Sequence, residues 1–157
     1  MFDYKSLFSE YRITKEIGRG GFGRVMLGVH KCTNKKVALK FVDPKGFGDA
    51  SNIASVYTEA ESASKIHHKN IIKIQSTFMM RKYMCFIMEY CEGGELLDLV
   101  KRRGRLRENE AKEIFLQMVS GMDACHKENL IHRDLKLENI LLLHRNKLEI
   151  RVNFEHQ

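Results

Sequence analysis

The chain has 157 residues, 43% of them hydrophobic, with nine Phe, five Tyr and a single Pro. That is enough apolar material to bury roughly 70% of the unfolded surface and offset the entropy of ordering, which argues against a disordered chain. The formal net charge of +7, from 27 basic and 20 acidic residues, favours anionic partners such as phosphates, nucleic acid or acidic headgroups without choosing among them. No run of about 18 apolar residues exists, and the opening MFDYKSLFSEYR carries acids in place of an uninterrupted apolar stretch. Neither a membrane span nor a signal peptide is expected, and the chain reads as intracellular, with the cytoplasm as the default address. The four cysteines, Cys32, Cys85, Cys91 and Cys125, lack C-x-x-C spacing and read as reduced thiols in place of zinc ligands.

Taken in chain order, segment 12–18 alternates Ile13, Lys15, Ile17 and segment 24–30 alternates Val25, Leu27, Val29, the period-two pattern of half-buried strands. A third run, KVALKFV, follows the polar turn KCTNK. Residues 50–66 are rich in Ala, Ser and Glu and predict a helix, while IIKI (71–74) and YMCFIMEY (83–90) return to strand character. The densest basic run, Lys101 to Arg107, has no interleaved aromatic to stack on a base, so a solvated surface connection is the favoured reading and nucleic-acid binding ranks far below it. From Glu108 to His126 the apolar positions Ala111, Ile114, Phe115, Met118, Val119, Met122 and Cys125 fall at three- and four-residue steps, predicting a long helix with one apolar face. Its expected start carries Arg107 in place of a Ser or Thr cap. Sheet therefore comes first and helix second.

The stretch Ile17-Gly18-Arg19-Gly20-Gly21-Phe22-Gly23-Arg24-Val25 contains G-x-G-x-x-G at Gly18, Gly20 and Gly23. In a dinucleotide-binding unit such glycines open a helix whose N-terminus faces the pyrophosphate, but here alternating Val25, Leu27 and Val29 follow. The glycines are expected to turn a hairpin, and backbone without Cβ atoms can approach triphosphate oxygens closely. A purely structural Gly-rich turn is the other reading of this pattern by itself. Further on, VALK places Lys40 on a strand among Val37, Ala38 and Leu39. An ammonium is an unusual charge to bury there and needs an anionic partner; Glu59 on the following helix is the first candidate and Glu61 a weaker one.

With the glycine loop, VALK, MEYCEGGEL (88–96) and HRDLKLEN (132–139) in this order, the chain resembles the eukaryotic protein kinases from about Tyr11 to Phe154. The resemblance implies an α+β, two-lobe kinase-like fold: an extension at 1–10, an N-lobe of antiparallel sheet plus one helix over 11–88, and a hinge with an incomplete helical C-lobe over 89–157. Lys136 resembles the serine/threonine branch, and Leu137 with GGELLD resembles the calmodulin-dependent and AMP-activated kinase group. Such a kinase transfers the γ-phosphoryl group of ATP to a protein hydroxyl, which asks the protein to position the group and neutralise spreading charge.

By the same resemblance, the backbone of residues 18–23 covers the phosphates, Lys40 binds the α- and β-phosphates, and Glu59 orients Lys40. Val25 and Ala38 pack on the adenine faces, Met88 guards the back of that pocket, and Glu89 and Cys91 lend backbone groups to the base. Glu95 matches a position that contacts ribose or a substrate arginine, against the alternative of an exposed acid at a helix start. Asp134 accepts the hydroxyl proton, Lys136 stabilises the transferring group, and Asn139 holds magnesium. His132 and Arg133 are expected to be structural.

The pattern departs where the family carries Asp-Phe-Gly. This chain reads Asn153-Phe154-Glu155, in a register about one residue longer than the family's. An Asn offers one neutral oxygen where a carboxylate would clamp magnesium, so metal binding is expected to be weakened or lost at one site. The chain ends shortly afterwards, and a truncation or a divergent splice end is expected, with the apolar face of the 108–126 helix left exposed. Two functions follow: a serine/threonine kinase acting on a protein substrate with ATP and Mg2+, or a noncatalytic, pseudokinase-like module that binds nucleotide or a protein partner.

Overall fold

Alternation along the first third of the chain builds a sheet in the computed structural model, which describes residues 4–20, 23–43, 64–79 and 83–154. The strands are β1 (Tyr11–Gly20), β2 (Gly23–His30), β3 (Lys36–Val42), β4 (Ile74–Met79) and β5 (Met84–Glu89), preceded by a short helix α1 (Tyr4–Glu10). They form one five-stranded sheet in the order β1-β2-β3-β5-β4, with every neighbouring pair antiparallel. Asn34 takes a positive φ of 56° in the β2–β3 turn, a conformation that Asn tolerates better than most side chains.

The chain divides into two compact units, the first holding Met1–Ser64 and Ile74–Tyr90, the second Lys65–Lys73 and Cys91–Glu155. The core of the first joins Leu7 of α1 to Val37, Leu39, Phe41, Phe78, Cys85 and Ile87, with Met26 packed beside them. Strand periodicity accounts for this set: Leu39 pairs with Met26 and with Ile87, so these residues share one face of the sheet.

In the second unit, β6 (Gly94–Glu95), β7 (Ile140–Leu142) and β8 (Ile150–Val152) form a three-stranded sheet in that order. It packs with α2 (Leu96–Arg103) and α3 (Glu108–Lys127) around Ile71, Leu96, Ile114, Cys125, Ile140, Ile150, Val152 and Phe154. The basic run closes α2: Lys101, Arg102 and Arg103 lie in its last turn, where cations complement the helix dipole. Gly104 then takes a φ of 76°, which ends the helix where a side chain would be strained. Arg107 is the residue before α3, as the sequence predicts, and its N–H donates to Glu110 Oε2 at 3.0 Å. Arg103 donates to Glu110 Oε1 at 3.0 Å. With the backbone bond from Arg107 as the largest cause, the Glu110 carboxyl is held below the usual carboxylate range.

Two expectations from the sequence need correction. IIKI is not a strand: Ile71 makes only an isolated bridge to Val152, and β4 begins at Ile74. Ile71 and Ile72 are spent on burial in the second unit, where the Ile72 N–H donates to Val152 O at 2.9 Å. The apolar face of α3 is also divided. Ile114 and Cys125 are buried and Met118 and Met122 pack on the same core, whereas Phe115 and Val119 are 61% and 48% exposed. The predicted helix over 50–66 lies outside the described residues except for helical Ser64 and Lys65. Among the described residues, no helix is long and apolar enough to cross a membrane.

Candidate active site

Cross-strand register gathers the first set of candidate residues on one sheet face. Val25 pairs with Lys40, Lys40 with Phe86, and Ala38 with Met88. Directly opposed residues point the same way, as do positions two apart, so Val25, Ala38, Lys40 and Met88 share a face. It is the face opposite the Leu39, Met26 and Ile87 core. Ala38 and Met88 are buried and Lys40 is half-buried.

The glycine stretch leads into a strand and not into a helix. Gly18 stands opposite Val25 and Gly20 opposite Gly23 in the β1–β2 ladder. A Cβ on Gly23 would overlap the carbonyl oxygen of Phe41 on β3, so this glycine is required by the approach of a neighbouring backbone. A Cβ on Gly18 would meet nothing nearer than Val25 at 3.8 Å. Arg19 turns back to hold Glu16 through two hydrogen bonds of 2.8 Å, Arg24 lies 6.0 Å from the Phe41 ring centroid, and Ile17 is exposed. Gly21, Phe22, Glu59 and Glu155 lie outside the described residues. Glu89 closes β5 opposite Val37.

In the second unit, Cys91 is buried, and Glu95 stands opposite Leu141 immediately before α2. Residues 131–139 form the loop between α3 and β7, ending in a 3-10 turn, Leu137–Asn139. Lys136 Nζ contacts Asp134 Oδ2 at 2.7 Å. Asn139, almost fully buried, donates from Nδ2 to Asp134 O at 2.8 Å and to Asp134 Oδ2 at 3.1 Å. The Lys136 hydrogen bond, with a smaller contribution from Asn139, holds the Asp134 carboxyl below the usual carboxylate range. Asp134 is therefore an ionised acceptor in a fixed orientation at neutral pH.

His132 ties this loop to the end of β8. Its Nε2 lies 2.8 Å from Asn153 O and its Nδ1 lies 3.3 Å from Asp134 N. A carbonyl can only accept and an amide can only donate, so the neutral ring carries its proton on Nε2. Phe154 stacks on the same imidazole with centroids 4.5 Å apart, and Asn153 N donates to Asn139 O at 2.8 Å. Arg133, between His132 and Asp134, takes a φ of 64°, the left-handed region that costs a non-glycine residue strain. Asp134, Lys136, Asn139 and Asn153 are thus brought together within one unit. The Oδ1 atom of Asn153 is buried and has no hydrogen-bond partner.

Sequence reasoning overlooked the residues that hold β8 in place. Gln117 of α3 accepts from Ile150 N at 3.1 Å and from Asn70 Nδ2 at 3.0 Å, and donates to Leu148 O at 2.6 Å. Asn70 also donates to Ile150 O at 3.2 Å, and Asn70 O accepts from Val152 N at 2.8 Å. The nearest sequence signal is a polar Gln beside the apolar positions of a helix, and it points to no partner.

Residues 11–153 match the family model described as protein kinase domain, and the chain belongs to that family. Among solved structures it is similar to Rad53 1–466, crystallised in complex with AMP-PNP, at a TM-score of 0.85 and 25% sequence identity. The match covers 95% of this chain and 39% of that one, so the chain spans well under half the length of its structural relative.

Proposed function

We propose that this chain binds ATP as a protein kinase domain of the serine/threonine type, with Asp134 placed to accept the proton of a protein hydroxyl as the γ-phosphoryl group is transferred. The observation that carries the reading is the Asp134 carboxylate, which takes a 2.7 Å contact from Lys136 and a 3.1 Å bond from Asn139. A base that is already oriented and ionised needs little rearrangement at the moment of transfer. Lys136 contributes a cation beside that base, where charge spreads over the transferring group.

Binding of ATP is supported by the shared sheet face of Val25, Ala38, Lys40 and Met88, by Gly18, Gly20 and Gly23 in the β1–β2 ladder, and by the AMP-PNP bound to the similar Rad53. Lys136 and Leu137, with Gly93 to Asp98, favour the calmodulin-dependent and AMP-activated group within the family. A noncatalytic nucleotide-binding module is the second reading, favoured by the neutral Asn153. Radiolabelled phosphate transfer from ATP to a mixture of basic peptides, run beside ATP binding, separates the two. Asp134→Ala is expected to abolish transfer with ATP affinity changed less than about threefold. Transfer that survives the substitution removes Asp134 as the base, and a wild-type chain that binds ATP without any transfer supports the second reading.

A further inference from the structure

The kinase family implies magnesium held by the catalytic-loop Asn and by a carboxylate after β8, and the residues of this chain do not fit that role. Magnesium demands near-octahedral oxygen ligands, keeps several of its waters and favours carboxylates. Asn153 offers a neutral amide oxygen, buried with no hydrogen-bond partner, so a hydrated ion has no open path to it. Asn139 is 1% exposed, and with its amide nitrogen donating to Asp134 at 2.8 and 3.1 Å it has only a neutral amide oxygen to offer a metal. The carboxylate to which Asn139 is bonded, Asp134, is matched by the ammonium of Lys136 at 2.7 Å. The side chains of Asp134, Lys136, Asn139 and Asn153 therefore sum to no net charge, and among the described residues no group of three or more His, Cys, Asp or Glu side chains could hold a metal ion.

We propose that this chain binds its nucleotide without requiring a divalent cation. The inference rests on the ATP-binding reading above and concerns what accompanies the nucleotide. The buried, unpartnered Asn153 amide is a neutral part of the loop scaffold here: its backbone carries the hydrogen bonds to His132 and Asn139, and its side chain is not asked to ligate.

The test is isothermal titration of the full chain with ATP in excess EDTA and in excess Mg2+. The expected result is a dissociation constant that is equal within about threefold, or weaker with Mg2+, because Mg2+ only lowers the charge of the ligand. Binding that tightens by about tenfold or more with Mg2+ overturns the proposal and leaves the ATP-binding reading standing. Absence of binding under both conditions overturns both. As an independent readout that needs no variant, Mn2+ titrated into wild-type chain plus ADP is followed by electron paramagnetic resonance. Its free-ion signal is expected to fall no further than with ADP by itself, and a further fall on adding the chain overturns the proposal.

Discussion

Gln117→Ala is the substitution that tests how the start of β8 is held in the second unit. The Gln117 side chain makes three bonds to groups distant in sequence, with Ile150 N, Leu148 O and Asn70 Nδ2. Each is a neutral hydrogen bond with a net contribution of about 1 kcal/mol, and the partly buried groups left behind add to the cost, so about 3 kcal/mol is expected to be lost from the second unit. Against the roughly 5–15 kcal/mol of a typical domain, that is a large share. In urea, with a slope of roughly 2 kcal/mol/M, the midpoint falls by about 1.5 M while the slope stays constant. Amide exchange at Ile150 and Val152 should accelerate together, because Asn70 O accepts from Val152 and Gln117 from Ile150. Combining the change with Asn70→Ala is expected to cost less than the sum of the two, by about 1 kcal/mol, since the 3.0 Å bond between them is counted in each single variant. A midpoint drop below about 0.3 M would refute the reasoning, because a network that strips away at so little cost cannot be what holds β8.

Two further outcomes follow from the first unit and the thiols. Gly23→Ala forces a Cβ onto the Phe41 carbonyl and is expected to destabilise by about 3 kcal/mol, the upper end of the overpacking range, whereas Gly18→Ala, with 3.8 Å to its nearest neighbour, should change stability by under about 0.5 kcal/mol; thermal melts of the two variants check this, and equal effects would contradict it. With a thiol-specific chromogen at pH near 8, exposed Cys32 is expected to react at once. Cys85 and Cys125 should wait for unfolding, since burial pushes their thiols up to about 12 and about 11; prompt labelling of either would show that its packing is looser than described.

Much of the first unit was legible because strand alternation is a local property. Side chains two apart share a face whatever the rest of the chain does, so Ile13, Val25 and Leu27, and the run around Lys40, announced a sheet before any partner was known. Likewise, the three- and four-residue steps from Ile114 to Cys125 follow from helical geometry within one segment. IIKI misled for the same reason: three isoleucines around Lys73 read as a strand, but Ile71 and Ile72 bury in the second unit and Ile71 makes only a single bridge, to Val152. Apolarity records that a residue wants burial, not which neighbour supplies it.

The candidate site divides along the same line. The types and order of Asp134, Lys136 and Asn139 were readable through the resemblance of HRDLKLEN to the kinase catalytic loop. That Asn139 spends its amide on Asp134, that His132 carries its proton on Nε2 for Asn153 O, and that Asn153 is left with a buried, unpartnered oxygen were not. By itself the sequence determined most of the elements, the motifs that carry the family resemblance and the inventory of polar groups, each of which is read within a few residues. Only the tertiary structure decided which glycine has no room for a side chain and which hydrogen bonds close across 47 or 80 residues. Donors and acceptors so far apart meet only after the backbone has folded, and their pairing depends on distances of a few tenths of an ångström that no local pattern encodes.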